Sequence, residues 1–154
     1  MKITFERICI IVLIIVIIIL IAIQLEEYSL QDDPKLNEIK QAIDPLFSKN
    51  IKYTGILEVI NNRDIFEELS FYKGNKSYTI NKEKVFLCLK DKNDNYYDMN
   101  TLIFVTLHEI SHALCDEIGH TTKFNKIFDE LIKKASEMKI YDPNTPIVQD
   151  YCPD

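Results

Sequence analysis

Clusters made only of lysine and arginine are absent from this chain of 154 residues, which has 18 basic and 24 acidic side chains. A protein that binds DNA or RNA needs basic patches that neutralise phosphate groups. The formal net charge of -6 would repel a nucleic acid instead. We therefore expect no nucleic-acid partner.

The chain also lacks a C-x-x-C pair among its four cysteines, Cys9, Cys88, Cys115 and Cys152. That spacing is typical of thiol redox motifs and of zinc sites built on cysteine. If the domain lies outside the cytoplasm, one disulfide such as Cys88–Cys152 becomes possible. The sequence leaves this pairing open.

Charged and polar side chains, apart from Cys9, are missing from one continuous stretch, ICIIVLIIVIIILIAI at 8–23. With Leu25 it approaches the ~20 residues that an α-helix needs to cross ~30 Å of hydrocarbon. A cleavable signal peptide has a shorter apolar region, about 7–15 residues, followed by small residues at the cleavage site. Because this run is longer and no A-x-A pattern follows it, the sequence predicts a permanent transmembrane signal anchor at 8–25 in a lipid bilayer.

The charges on either side of the anchor indicate its orientation. Lys2 and Arg7 precede the span, and acidic residues follow it. The positive-inside rule counts the basic residues and places a short tail, residues 1–7, in the cytoplasm. We expect residues 26–33 to be a linker and residues 34–154 to form an extracytoplasmic or lumenal domain of a single-pass membrane protein.

Residues 34–154 mix helical and strand-like patterns, which predict an α+β domain. Asp33 can cap a helix with Pro34 at its first position, and a last helix follows Thr121 or Thr122, either of which can cap it. Strand-like stretches occupy 51–60, 77–80 and 85–91. The last two of these predict a hairpin or two successive short strands.

A polar loop precedes an apolar helix that we expect at about 101–118, capped by Asp98 or Asn100. Gly119 suits the left-handed conformation that ends many helices. All three histidines of the chain lie on this helix or just after it, in FVTLHEISHALCDEIGH at 104–120.

His108, Glu109 and His112 form the motif H-E-x-x-H. Residues four apart lie on one face of an α-helix, so both imidazoles can reach one metal ion. Glu109 lies about 100° round the helix from His108, where it can reach water on that ion without ligating it. Zinc lowers the pKa of such water toward ~7, and a carboxylate can then take its proton. The motif therefore predicts a zinc site with Glu109 as its catalytic residue.

A catalytic zinc site has three protein ligands, so a third must come from outside the motif. His120 is the leading candidate, because Gly119 ends the helix just before it and lets the chain fold back toward His108 and His112. The resulting spacing is H-E-x-x-H-x7-H.

Other side chains could provide the third or a fourth ligand. Glu130 stands 18 residues past His112, where zinc peptidases with a glutamate ligand place it. Asp116 and Glu117 would need the end of the helix to unwind. Cys115 as a fourth ligand would make the site structural, although a small buried residue is the simpler interpretation.

The residues around the motif resemble those of a known family. The segment 77–151 resembles the small zinc metallopeptidase-like proteins of large DNA viruses, which are related in pattern to the WLM and SprT-like metallopeptidases. The likeness lies in the strand motif LCLKD, the helix start NTL, the H-E-x-x-H-x7-H spacing and GHTTKF. The terminal DYC at 150–152 looks like a degraded version of that group's C-terminal tail.

The resemblance implies a minimal zincin-like domain, a small twisted β-sheet packed on an active-site helix and flanking helices. It implies that His108, His112 and His120 ligate Zn²⁺ and that Glu109 is the general base. It also suggests that VFLCLKD at 85–91 is the edge strand along which an extended peptide would pair.

Many zincins also have a side chain that stabilises the oxyanion of the tetrahedral intermediate. No histidine remains for this role, so a tyrosine is the expected residue. Tyr78, Tyr141 and Tyr151 are the candidates, and the sequence does not choose among them.

We therefore expect a membrane-anchored zinc-dependent endopeptidase that acts on a protein or peptide substrate. The alternative is a non-catalytic, membrane-anchored structural or interaction protein on a zincin scaffold, whose zinc would only stabilise a small core. Glu109 favours the enzyme, because a purely structural site gains nothing obvious from an acid beside its first ligand. A third hypothesis is hydrolysis of another kind of amide at the same metal site.

Overall fold

The computed structural model describes residues 4–152, which form an α+β domain behind a long N-terminal helix. The helices are α1 Phe5–Gln31, α2 Pro34–Ile43, α3 Ile65–Glu68, α4 Met99–Leu114 and α5 Thr122–Glu137. The strands are β1 Ser70–Lys73, β2 Tyr78–Ile80 and β3 Lys84–Leu87. Short 3-10 helices lie at Asp44–Phe47 and Gly55–Ile60. The predicted α+β class and the small sheet are confirmed.

α1 is long and apolar enough to cross a membrane, and none of its side chains is buried against the rest of the described chain. Because residues 24–31 are mostly good helix formers, the helix continues beyond Leu25 to Gln31. Most of the segment 26–33, which we expect to be a linker, is therefore helical. The predicted tail at 1–7 begins with three residues that lie outside the described range, Lys2 among them.

The three strands lie in the order β1-β3-β2. β2 and β3 pair antiparallel with Thr79 opposite Val85, which confirms the predicted hairpin. β1 pairs parallel to the other side of β3, with Phe71 also opposite Val85. β3 is therefore the central strand, and the expectation that 85–91 forms an edge strand is wrong. The edge strand of the hairpin is β2.

The prediction of a strand at 51–60 is also wrong, because Gly55–Ile60 forms a 3-10 helix. Leu57 and Ile60 are buried three residues apart, which is the period of that helix. The side-chain amide of Asn61 accepts a hydrogen bond from the Tyr53 N–H and donates one to the Tyr53 carbonyl, both at 2.8 Å. The Asn61 side chain thus satisfies the two backbone groups of Tyr53 that a neighbouring strand would otherwise bond.

α4 packs against α2, α5 and both strands of the hairpin. Its carboxylate cap is Asp98, which accepts a hydrogen bond from the Thr101 N–H at 2.9 Å. Asp33 caps α2 and Thr121 caps α5 in the same way, so these expected caps are confirmed. The helix that carries the H-E-x-x-H motif is thereby held at the centre of the domain.

α4 ends at Leu114 and does not reach Ile118. Cys115 is already extended, with φ -79° and ψ 129°, and its carbonyl accepts a hydrogen bond from Lys82 Nζ. Gly119 has the left-handed φ of +82° that was expected, but it lies within the loop after the helix. The chain therefore turns back toward His108 and His112 over the whole loop from Cys115 to His120, and not at a single glycine that ends the helix.

Cys88 and Cys152 form a disulfide, 64 residues apart in sequence, which resolves the pairing that the sequence left open. A disulfide that closes a loop of this length is expected to stabilise the fold by about 4 kcal/mol. We expect Cys152→Ser to lower the free energy of unfolding by about that amount, measured by chemical denaturation of the full chain in detergent. A reductant should destabilise the wild type and leave the variant unchanged; a wild type insensitive to reductant would contradict this expectation.

Candidate metal centre

Three imidazoles converge beside the C-terminal half of α4. His108 and His112 project from one face of this helix, and His120 comes from the loop that follows it. The His120 Nε2 atom lies 3.0 Å from His108 Nε2 and 3.2 Å from His112 Nε2. The ligand atoms of all three residues lie within 4.8 Å of one another. The structure thus brings together the three side chains that the sequence predicts as ligands.

This set of donors fits a divalent transition metal. Zinc bound tetrahedrally by imidazoles at 2.0–2.1 Å requires nitrogen atoms about 3.3 Å apart. The two measured separations of 3.0 and 3.2 Å are close to that value. Imidazole nitrogen also suits copper, nickel and iron. The geometry therefore supports a metal site, and the choice of zinc rests on the motif.

The electrostatic surroundings keep two of the rings neutral. Burial lowers the pKa of His108 to about 4, and His112 and His120 nearby add smaller effects in the same direction. Burial is also the main cause that lowers the pKa of His112, with a contribution from His120. At neutral pH both rings therefore keep a nitrogen lone pair that a cation can use.

Aromatic side chains of α5 fix the orientation of these rings. The Phe124 ring stacks on His112 with 4.2 Å between the centroids. Phe128 meets His108 edge to face at 5.2 Å. Because α5 begins directly after the loop that carries His120, its Thr121 cap also fixes the end of that loop. The apolar face of α5 thus packs against the candidate ligands as well as the core.

Glu109 is buried beside the histidines and bonded to the hairpin. The Thr79 hydroxyl lies 2.8 Å from Glu109 Oε2 and 3.0 Å from the Glu109 carbonyl oxygen. Burial raises the pKa of Glu109, and the hydrogen bond from Thr79 partly opposes this rise. A carboxylate with a raised pKa is better matched to proton transfer near neutral pH.

Thr79 is a site residue that the sequence patterns did not reveal. The predicted hairpin places it on a strand, but its partner Glu109 is 30 residues away on another element. Alternation along a strand as short as β2 does not show which face meets α4. Only the packing of the hairpin against the helix brings the two side chains together.

A cleft of about 500 Å³ opens beside His108 and Glu109, and Tyr151 forms part of its wall. The Tyr151 hydroxyl donates a hydrogen bond to the Cys88 carbonyl and lies 2.7 Å from Ser77 Oγ. Burial raises the pKa of Tyr151 to about 12, so the phenol stays protonated. The disulfide at Cys152 holds this tyrosine in the wall of the cleft.

The other two tyrosine candidates lie elsewhere. Tyr78 precedes Thr79 on β2, so its side chain lies on the face of the sheet opposite to α4. On that face its ring stacks on Phe86, with 4.7 Å between the centroids. Tyr141 is buried and packs beside Phe104. Of the three candidates for the oxyanion role, Tyr151 is the one that lines the cleft.

The chain is similar in sequence to several viral proteins. It is 48% identical over 136 residues to the uncharacterized protein 136R of Invertebrate iridescent virus 6, an alignment that covers 81% of this chain and 76% of that protein. The chain belongs to the family of protein 136R. No protein-family model and no solved structure matches it.

Two further viral proteins are similar to parts of the chain. The chain is 44% identical over 99 residues to the uncharacterized protein 042R of Invertebrate iridescent virus 3. It is 33% identical over 116 residues to the uncharacterized protein R325 of Acanthamoeba polyphaga mimivirus. These alignments cover 62% and 58% of the two relatives, so each relative has further sequence outside the match.

In this member of the 136R family, the alternative ligands lie away from the histidines. Glu130 is on α5, where its carboxylate lies 3.6 Å from Lys133 Nζ. Asp116 pairs with Lys123 at 2.6 Å, and Cys115 is buried in the core. Among the described residues, 4–152, the cluster that could hold a metal ion consists of the three histidines.

Proposed function

We propose that this chain is a membrane-anchored, zinc-dependent endopeptidase with a zincin-like domain. The observation that carries the proposal is the convergence of three imidazoles, one of which, His108, lines an open cleft together with the buried carboxylate of Glu109. A structural metal site needs the imidazoles only. The carboxylate and the cleft add a proton acceptor and room for a substrate, which are the requirements of hydrolysis.

The three histidines have the role of ligands in this proposal. His108, His112 and His120 would hold the zinc ion through their Nε2 atoms, which converge in the structure. Zinc, when bound, supplies a Lewis acid that polarises a carbonyl group and makes water more acidic. The neutral state of His108 and His112, caused by their lowered pKa values, prepares both rings for this role.

Glu109 has the role of general base and then of general acid. It takes a proton from the water whose oxygen bonds to the peptide carbonyl carbon. It then gives that proton to the amine nitrogen as the C–N bond breaks. Thr79 positions the carboxylate for both transfers, because its hydroxyl is bonded to Oε2.

The edge of β2 is the proposed place for the substrate backbone. β3 occupies one side of β2, so an extended peptide can add to the sheet at the other side. Thr79 lies in this strand and donates a hydrogen bond to Glu109, which supports a substrate position beside the proposed general base. A protein or peptide segment in extended conformation is therefore the proposed substrate.

The proposed location is a single-pass membrane protein with α1 as a permanent signal anchor. The basic residues before the span favour a cytoplasmic N-terminus, with the domain on the other side. The Cys88–Cys152 disulfide supports this orientation independently, because disulfides persist mainly in oxidising, extracytoplasmic compartments.

Cleavage of an unstructured polypeptide by the full chain in detergent tests the proposal. We expect cleavage that stops when a chelator removes the metal and returns when zinc is added. Cleavage that persists in the metal-free chain would contradict the zinc mechanism. A folded, metal-loaded chain that cuts no polypeptide would favour the non-catalytic structural protein.

Replacing Thr79 by valine should lower kcat by about 10- to 100-fold, because a hydrogen bond to a charged carboxylate contributes about 1.5–3 kcal/mol. The pKa of Glu109 should rise further without this bond, so the acidic limb of the pH–rate profile should move to higher pH. Thr79→Ser keeps the hydroxyl and should retain most of the activity. A valine variant with the wild-type rate and pH profile would show that Thr79 does not position Glu109.

A further inference from the structure

The C-terminal end of α1 fixes the height of the domain above the bilayer. An apolar segment at 8–25 brings the edge of the ~30 Å hydrocarbon layer close to Leu25. Glu27 lies ~3 Å further along the helix axis. Its carboxylate accepts hydrogen bonds from the Tyr72 hydroxyl at 2.7 Å and from Lys84 Nζ at 2.6 Å. The start of β3 therefore lies at the depth of the lipid headgroups.

The direction of β3 relative to the bilayer follows from a second contact. Glu27 touches Lys84 at the start of the strand, whereas Asp33 accepts a hydrogen bond from the Tyr96 hydroxyl at 3.2 Å. Tyr96 is bridged through the backbone to Lys90, beyond the end of the strand. Residues 27–33, which lead out of the membrane, therefore run alongside β3 and in the same direction. The end of β3 points away from the bilayer, and the hairpin turn before Lys84 points toward it.

Two exposed isoleucines lie on the side of the hairpin turn. Ile80, at the end of β2, is 41% exposed, and Ile118, in the loop after α4, is 93% exposed. Lys82 in the turn donates a hydrogen bond to the Cys115 carbonyl, which places that loop beside the turn. A fully exposed isoleucine on the side of a domain that faces a bilayer can remove its apolar surface from water by entering the lipid.

We propose that the turn at 80–84 and the loop at 115–120 rest on the bilayer, with Ile80 and Ile118 inserted at the level of the headgroups. The charges on these segments have both signs: Lys82 and Lys84 are basic, and Glu83, Asp116 and Glu117 are acidic. The contact is therefore carried by apolar side chains and by the anchor, and needs no anionic lipid.

This placement defines a substrate class, which rests on the proposed function. His120 belongs to the loop that touches the bilayer, and β2 runs from the cleft near Ser77 toward Ile80. An extended peptide along β2 would therefore run from the cleft to the membrane surface. The segments that fit this arrangement are those of membrane proteins just outside the bilayer.

The chain contains no tryptophan, so a single introduced tryptophan reports its own depth. Ile118→Trp is the test variant, and Leu25→Trp in α1 is the reference inside the membrane. Lys92→Trp, exposed in the loop beyond the far end of β3, is the matched control. Each full-length variant is placed in phosphatidylcholine nanodiscs with and without bromine on the acyl chains near the headgroup.

Bromine should remove most of the fluorescence of Ile118→Trp and Leu25→Trp and leave that of Lys92→Trp unchanged. The proposal would be overturned if bromine quenched Ile118→Trp as little as it quenches Lys92→Trp. Unquenched Leu25→Trp would also overturn it, because α1 would then lie outside the bilayer. Quenching requires neither metal nor turnover, so an inactive chain with quenched Ile118→Trp would contradict the endopeptidase and leave the membrane contact standing.

The substrate class has its own test in the same nanodiscs. An unstructured polypeptide is coupled through a single cysteine to a maleimide lipid, and the cleavage positions are mapped by mass spectrometry. Compared with the free polypeptide, we expect cuts to concentrate at the end nearest the lipid. The same map for the free and coupled forms would overturn the preference for segments near the membrane.

Discussion

Replacing Glu109 by glutamine should lower the rate of peptide-bond cleavage by about 10²–10⁴-fold, the usual contribution of a general base. Glutamine keeps the shape of the side chain and can still accept the Thr79 hydrogen bond, but it cannot take a proton from water. The metal should stay, because Glu109 is outside the histidine cluster. Since burial raises the pKa of Glu109, a neutral amide should not destabilise the metal-free fold.

Three measurements on Glu109→Gln separate catalysis from folding: kcat on an unstructured polypeptide, metal content, and the temperature of thermal unfolding. Glu130→Gln is a matched control, because it removes a carboxylate that is exposed on α5 and forms an ion pair with Lys133. The control should keep the wild-type rate. If Glu109→Gln cleaved at the wild-type rate, Glu109 would not be the general base.

Replacing His120 by alanine should weaken metal binding by about 10²–10³-fold. Structural zinc sites with four ligands bind with about 10–16 kcal/mol, so each ligand contributes a few kcal/mol on average. His120 lies in an exposed loop, and its loss should leave the core and the helices unchanged. Hydrolysis should fall with metal occupancy, because only two imidazoles would remain.

Competition with a metal-binding dye measures this affinity in the wild type and the variants. Glu130→Ala is the informative control, since Glu130 is the alternative ligand that the sequence left open. We expect the wild-type affinity for Glu130→Ala and a large loss for His120→Ala. The reverse result would move the third ligand to α5 and would require the loop at 115–120 to adopt another arrangement.

The parts of the structure that could be predicted from the sequence depend on neighbours along the chain. Asp33 and Asp98 cap helices whose first N–H groups lie two or three residues away. His108 and His112 share a face because one helical turn separates them. The position of His120 followed from the same local reasoning, although α4 ends earlier than the pattern suggested.

The features that the sequence did not reveal depend on contacts between distant residues. β1 contains two consecutive buried residues, Phe71 and Tyr72, and therefore shows no alternation. Its pairing with β3 made the expected edge strand the central one. Thr79 meets Glu109, and Glu27 meets Lys84, only because separate elements pack together. Periodicity describes one element at a time and does not contain these contacts.

The zinc content of the full chain, purified in detergent without added metal, tests the central claim most directly. The arrangement of His108, His112 and His120 predicts about one zinc ion per folded chain, lost on His120→Ala and retained on Glu109→Gln. A folded chain that contains no metal and takes up none would contradict the account. The three histidines would then have no metal-binding role, and the endopeptidase proposal would fail with them.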